Sequence, residues 1–491
     1  MFTILADNFL GKTPPWYKLT ILAFLAINPL AFHLISPFAA GWLLLMEFVF
    51  TLALALKCYP IPSGGLLALE AVIIGITTPD GVYREVSANL PTLLLLIFMV
   101  ASVHYVKDVF FLVFNKLFIY VRRKYLLSFL FFLISASVSA FLDALTLMAV
   151  IIAVCSNFYS VYHRYQVSHK LFEGGDDKIR MTERELDEFC GFLRNIIMHG
   201  AIGTVIGGAM TIVGEPQNMM IGTILNWSFL GFFAHCSLIS VPVMITGLIV
   251  CPLLEILRFP GFGYQLPENA RRAIFENYMK TLHQIDRRKT YLYVVQSVAA
   301  ILIFLALAFH IAEVGLIGIA LIVLLAAFTG ATREHDFVDA FHNAMPFVTL
   351  LAIFFAILAV VHDQHLVAPL LTWVFTFQGK AQLLALYLAN GTLSFVSDNV
   401  FIASVFINET HRAFLAGAFP AEWFEKLAVV VNMGTNVPAM ATPNGHAALL
   451  FLLTSALAPM IRLSYMQMVK LALPYTVAMS LAGGLAVYFW L

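Results

Sequence analysis

The stretch Ser139-Ala140-Phe141-Leu142-Asp143-Ala144-Leu145-Thr146 sets one carboxylate, Asp143, near the middle of an apolar segment running from 125 to 160. Both flanks of that segment are basic. Lys107, Lys116, Arg122, Arg123 and Lys124 precede it, and Arg164, Lys170, Lys178, Arg180, Arg184 and Arg194 follow it. Short loops rich in Lys and Arg stay on the cytoplasmic side of a membrane, so the chain should enter and leave on the same side. Two full crossings need about 20 residues each plus a turn, which 125–160 barely supplies. A carboxylate facing lipid at mid-bilayer would also cost at least about 2.5–3.5 kcal/mol. A re-entrant helical hairpin with Asp143 at a tip buried in protein satisfies both constraints; a kinked helix whose Asp caps neighbouring backbone is the alternative.

The rest of the chain has the composition of a membrane protein. Of 491 residues 61% are hydrophobic and 11% charged, with zero formal net charge and a mean hydropathy of +0.89; soluble domains carry about 25% charged residues. Of the 56 charged residues, 24 fall in 161–194 and 255–290, so most of the chain has almost no charge to solvate. A soluble enzyme, a disulfide scaffold and a nucleic-acid binder are disfavoured. Cys58, Cys155, Cys190, Cys236 and Cys251 are odd in number and form no C-x-x-C pair, and they read as packing residues. Apolar stretches near 18–35, 39–57, 63–79, 90–106, 194–212, 217–234, 236–257, 290–309, 311–330, 344–362, 424–440, 446–461 and 468–490 are candidate spans, some of half length. The basic segments 107–124, 164–194 and 258–289 are expected inside. The 80–89 loop, with only Arg84, and 409–426, with Glu409, Glu422 and Glu425 against Arg412 and Lys426, are expected outside. The N-terminus then lies in the cytoplasm and the C-terminus in the periplasm.

The Asp143 pattern recurs. Residues 380–410 are a second apolar segment, broken by Leu393-Ser394-Phe395-Val396-Ser397-Asp398-Asn399-Val400 and ending at the acidic loop, so Asp398 mirrors Asp143 from the opposite side. After each hairpin comes an interrupted stretch: Gly207-Gly208-Ala209-Met210-Thr211-Ile212-Val213-Gly214-Glu215-Pro216-Gln217-Asn218, and Gly434-Thr435-Asn436-Val437-Pro438-Ala439-Met440-Ala441-Thr442-Pro443-Asn444-Gly445. Asp143 precedes Pro216 by 73 residues and Asp398 precedes Pro443 by 45; the excess of 28 matches the charged insert around 163–190. The expected fold is therefore an all-α polytopic membrane protein of two inverted-topology repeats, each with a re-entrant hairpin and a broken transmembrane helix. Its division is 1–124 (N-terminal spans, scaffold of repeat 1), 125–235 (transport part, with cytoplasmic insert 161–194), 236–379 (scaffold, with cytoplasmic linker 258–289), 380–461 (second transport part) and 462–491 (C-terminal span). Paired broken segments in two halves point to a secondary transporter's midplane site, because unwound carbonyls, amides and half-helix ends are free to face an ion.

The motifs Phe141-Leu142-Asp143-Ala144-Leu145-Thr146, Ser397-Asp398-Asn399-Val400, Gly214-Glu215-Pro216-Gln217-Asn218 and Ala441-Thr442-Pro443-Asn444-Gly445 resemble those of the ion transporter superfamily of divalent anion/sodium symporters and arsenite carriers. Over nearly the whole chain the sequence resembles the NhaB-type bacterial sodium/proton antiporters. The resemblance implies a bacterial inner-membrane protein, a homodimer, with scaffold and transport domains and elevator-type alternating access, exchanging internal Na+ for external H+. No cofactor is implied; the partners are the transported ions, with Li+ a further candidate, and the bilayer. The sodium/dicarboxylate branch has neutral hairpin tips, whereas Asp143 and Asp398 here favour proton coupling over the rival reading, a sodium-coupled anion symporter on the same fold.

Sodium is a hard cation that takes oxygen ligands, and a buried carboxylate can hold a proton or a cation but not both comfortably. Asp143 is the leading candidate, followed by Asp398 and Glu215. Thr146, Asn218, Asn399, Thr435, Asn436, Thr442 and Asn444 are supporting oxygen donors that could equally cap half-helices. Glu47 and Glu70 lie outside the repeat motifs and read as interhelical hydrogen-bonding residues. His362-Asp363-Gln364-His365 lacks a third metal ligand and reads as a solvated loop. His199 and His446, beside the broken stretches, could report pH, with packing as the competing role. No G-x-S-x-G or H-E-x-x-H motif suggests a membrane hydrolase.

Overall fold

The computed structural model describes residues 8–54, 58–103, 105–142, 144–170, 176–283, 286–309, 311–312, 314–342, 345–395 and 399–491. Among them there are helices and no strands. In chain order the helices are α1 (Pro15–Leu34), α2 (Pro37–Ala53), α3 (Pro60–Ile73), α4 (Pro79–Ala88), α5 (Leu90–Val103), α6 (Lys107–Tyr120), α7 (Lys124–Ser139), α8 (Ala144–Lys170), α9 (Asp176–Ala209), α10 (Pro216–Leu225), α11 (Phe229–Ile256) and α12 (Glu268–His283). The remainder are α13 (Arg287–Ala308), α14 (Val314–Thr329), α15 (Glu334–His342), α16 (Met345–Asp363), α17 (Ala368–Phe375), α18 (Lys380–Ser394), α19 (Asn399–Leu415), α20 (Ala421–Asn436), α21 (Ala447–Thr454), α22 (Leu457–Met460) and α23 (Tyr465–Trp490). Local chemistry sets many of the starts. Proline opens α1 to α4 and α10, where its missing N–H is no loss. Ser36, Thr78 and Ser228 cap α2, α4 and α11 by accepting from Ala39, Gly81 and Gly231 N–H groups at 3.0–3.1 Å.

Five described helical segments are long and apolar enough to cross a membrane: 15–34, 144–166, 183–209, 229–256 and 465–490. A sixth counts if 348–363 and 368–375, bent by 63°, form one span. Their surfaces agree with that role. On α11, Leu238, Ile245, Ile249, Leu253 and Ile256 form an exposed apolar face at helical spacing, and Leu473, Val477, Leu481 and Leu485 do the same on α23. Water would penalise such faces, which suit lipid. The interior, by contrast, buries Asn, Gln, Glu and His side chains around α9, α20 and the segments that follow them.

Several candidate spans differ from their sequence outlines. The 217–234 stretch is two pieces, since α10 stops at Asn226 in a left-handed conformation (φ 53°) and Ser228 starts α11. Hydropathy averages across such a stop. The 446–461 stretch is likewise α21 and α22. The basic 107–124 segment is mostly helix α6, and the charged insert continues α8 to Lys170 and begins α9 at Asp176. Thus the second arm of the first hairpin extends past 160, and its residues 144–166 alone are long enough to span, where re-entry within 125–160 calls for two short arms.

The same element order occurs twice: α7, tip, α8, α9, break, α10; then α18, tip, α19, α20, break, α21. In each, the first hairpin arm lies along the long helix that leads to the break, α7 on α9 and α18 on α20. Glycine makes both approaches possible. A Cβ at Gly207 would collide with the Ala136 carbonyl, and one at Gly434 would lie 3.0 Å from Asn390 Cβ. The short helix after each break packs against the second hairpin arm of the other half, α10 on α19 and α21 on α8.

Candidate ion site at the crossing of the broken helices

Helix α9 ends at Ala209, and residues 210–215 run unwound until Pro216 starts α10. Glycines 207, 208 and 214 lower helix propensity here, and proline cannot donate to a continuing ladder. Glu215 is left extended (φ −150°, ψ 149°) with its side chain turned inward, 2% exposed. In the second half α20 ends at Asn436. Two 3₁₀ turns, Pro438–Ala441 and Pro443–Gly445, carry the chain to His446, whose Nδ1 accepts from the Ala448 N–H at 3.2 Å and caps α21.

These breaks meet around one carboxylate. Glu215 Oε2 accepts from Asn399 Nδ2 at 2.8 Å and from Gln217 Nε2, and Glu215 Oε1 lies 2.9 Å from His446 Nε2. With Nδ1 committed as the cap acceptor, the hydrogen bond assigns the ring proton to Nε2, which donates to Glu215. Asn436 Oδ1 accepts from both Gln217 (2.9 Å) and Asn399 (3.0 Å), and its amide donates to Asn432 Oδ1 at 2.8 Å. Asn432 in turn donates to the Ala209 carbonyl at 3.0 Å, on the last residue of α9. The carboxylate is therefore enclosed by neutral donors; His446 is its one ion-pair candidate among the described residues. Gln217 Oε1 and Asn218 Oδ1 are buried with no hydrogen-bond partner, an uncommon state for buried oxygens. Together with the Glu215 carboxylate they are oxygen ligands of the kind a hard cation takes.

Both hairpin tips are fastened to these breaks. Thr211 Oγ1 donates to the Ala140 carbonyl, and the Ala144 N–H donates to the Gly214 carbonyl at 3.0 Å, beside Glu215. Thr442 Oγ1 donates to the Phe395 carbonyl at 2.6 Å. Asp143 and Asp398 themselves lie outside the described residues. Of the supporting candidates, Asn399 and Asn436 join the Glu215 cluster. Asn218 donates to the Gly208 and Thr211 carbonyls, at 2.8 and 2.7 Å, and braces the unwound segment. Thr435 bonds back to Val431 and Asn432 of its own helix, and Thr442 also caps Gly445. Thr146 and Asn444 are buried nearby in sequence to the tip and the turn. Sequence reasoning missed Gln217 and Asn432. The signal for Asn432 was its i,i+4 spacing from Asn436 in an otherwise apolar helix, which puts both amides on one face.

A second buried network was not anticipated. Glu255 Oε1 lies 2.9 Å from Lys124 Nζ, 2.7 Å from His199 Nε2 and 3.2 Å from Ser128 Oγ, and Oε2 accepts from the Gly263 N–H at 3.0 Å. His199 Nδ1 is 2.7 Å from the Tyr475 hydroxyl. This network ties the base of α7 to α9, α11, α23 and the 262–263 turn. His362 is also not solvated: it is 5% exposed and 2.7 Å from Glu85, while Asp363 accepts from Thr77 at 2.7 Å.

The sequence profile of the bacterial Na+/H+ antiporter B (NhaB) family matches residues 1–491. The chain belongs to the NhaB family. Curated relatives named Na(+)/H(+) antiporter NhaB agree with it at nearly full length. That of Shewanella denitrificans is 50% identical over 97% of this chain and 91% of its own. Those of Pectobacterium atrosepticum and Pseudomonas fluorescens are 50% and 49% identical over 99% of this chain, covering 94% and 98% of theirs. As in the sequence reading, membership of NhaB makes this a transmembrane antiporter rather than a member of an enzyme family.

Proposed function

We propose that the chain exchanges cytoplasmic Na+ for external H+ across the bacterial inner membrane, with the two ions competing for buried carboxylates at the crossing of the broken helices. Family membership supports the ion pair. The observation that carries the site is Glu215: a carboxylate from the first half, 2% exposed, held by Asn399 and His446 of the second half. Asp143 and Asp398, which the sequence reading puts at the two hairpin tips, complete the proposed set. A carboxylate that holds either a proton or Na+, in a unit that reorients only when loaded, lets an inward proton gradient expel sodium.

The repeats are read as inverted, with both hairpins re-entrant. Helix α23, about 39 Å long at 1.5 Å per residue, supports opposite entry. Near its start, Arg194 donates to the Ile461 carbonyl and Arg462 pairs with Asp187, with Lys124, at the base of α7, 4.6 Å over the Phe192 ring. Near its end, Lys380, at the base of α18, donates to the Tyr488 carbonyl. The parts 125–235 and 380–461 then move as the elevator against the remaining spans, in a homodimer that accepts Li+ as well as Na+.

The test is Na+-dependent exchange by purified protein in proteoliposomes. Glu215→Gln removes a charged ligand worth about 1.5–3 kcal/mol and should raise the sodium half-saturation at least about tenfold; Asp143→Asn should abolish exchange. An unchanged half-saturation in Glu215→Gln removes Glu215 from the site.

A further inference from the structure

Away from the Glu215 cluster, a second pair of carboxylates is buried between the N-terminal helices. Asn28 of α1 donates through one atom, Nδ2, to Glu47 Oε2 of α2 at 2.7 Å and to Glu70 Oε2 of α3 at 2.8 Å. The three residues are 0%, 2% and 8% exposed. The two hydrogens of an amide nitrogen diverge by roughly 120°, so the two acceptor oxygens stand about 5 Å apart. Two anions at that spacing, removed from water, repel each other. No cationic side chain among the described residues faces either one.

Two more oxygens in the same place lack partners: Glu47 Oε1, and Asn28 Oδ1 on the amide that projects between the carboxylates. The hydroxyl of Thr51, one turn from Glu47, is already engaged with the Phe48 carbonyl at 2.7 Å. From α16 the packing is apolar, Phe354 lying edge-on to Phe48. The pocket thus holds an excess of acceptors and negative charge, and what would satisfy it is a positive charge seated on oxygen.

We propose that Asn28, Glu47 and Glu70 form a second monovalent-cation site, which holds one Na+ or one retained proton between α1, α2 and α3. It shares no side chain with the Glu215 cluster and stands whether or not that cluster is the exchange site. The experiment uses full-length protein purified in detergent, with two readouts: equilibrium binding of radioactive Na+, and the infrared carbonyl stretch of protonated carboxyl groups at neutral pH. Glu47→Gln/Glu70→Gln removes both charges while Gln keeps size and polarity. It should lose one bound Na+ per chain if sodium is the occupant, or one protonated-carboxyl signal if the occupant is a proton. Glu70→Gln alone removes one of the two repelling charges, so it should weaken the Na+ binding or lower the pH at which the carboxyl signal is lost, and it carries the test if the double variant does not fold. In a Glu215→Gln background the same Glu47→Gln/Glu70→Gln change should remove the same further increment of bound Na+ or carboxyl signal. Sodium binding and carboxyl signal both equal to wild type in the Gln variants would overturn the proposal.

Discussion

Replacing Glu255 with Leu should destabilise the protein by about 3–5 kcal/mol, the range for removing one partner of a buried ion pair. Lys124 is 7% exposed, and its ammonium would lose the carboxylate now 2.9 Å away. The Phe192 ring, 4.6 Å from Nζ, offers about 1–2 kcal/mol of cation–π attraction, too little to compensate. The opposite change is milder. Lys124→Met leaves Glu255 with His199, Ser128 and the Gly263 N–H, so a cost of about 1–2 kcal/mol is expected. In the double variant no ammonium is stranded, and the combined cost should fall short of the sum by at least about 1 kcal/mol. Unfolding of the four proteins in mixed micelles, followed by helical circular dichroism, measures the cycle. Glu255→Leu within about 0.5 kcal/mol of wild type, or strict additivity, would refute the reading of this network as a charge-paired anchor for α7.

Two other outcomes follow from the same geometry. Impermeant thiol labelling of intact cells should reach a cysteine at Ala416 but not one at Glu276, both exposed positions, against a low background because all five native cysteines are buried; the reverse pattern would overturn the inverted arrangement. Asn399→Ala removes a donor to Glu215 and to Asn436 and should weaken apparent sodium affinity roughly tenfold with little loss of folded protein; wild-type exchange would show that the hairpin-to-carboxylate bond is not part of the site.

The breaks were legible in the sequence because proline and glycine act locally. Pro216, Pro443 and the Gly207-Gly208 pair lie at or near the breaks that follow α9 and α20, whereas Pro242, Pro252 and Pro474 are held inside helices, so the clustering of Gly, Pro and Asn rather than a lone proline marks the break. Glu215, Asn399 and Asn436 were legible as polar groups that an apolar environment would not tolerate unless engaged. What could not be read was pairing. Lys124 and Glu255 are 131 positions apart, each beside other charges at a helix end, and nothing local marks them as one buried unit. Glu47 and Glu70 stood out singly, but only the packing of α1 on α2 and α3 puts one amide between them. The stop at Asn226 escaped hydropathy because a single left-handed residue does not change an average.

The central claim is that Na+ and H+ share one carboxylate site, and the most direct measurement is the sodium half-saturation of exchange across a pH series in proteoliposomes. With one proton competing per sodium, half-saturation should rise about tenfold per unit below the site's pKa while the maximal rate changes less; coupled carboxylates would flatten that slope without abolishing it. A half-saturation constant across the pH range in which the rate changes would contradict shared-site competition.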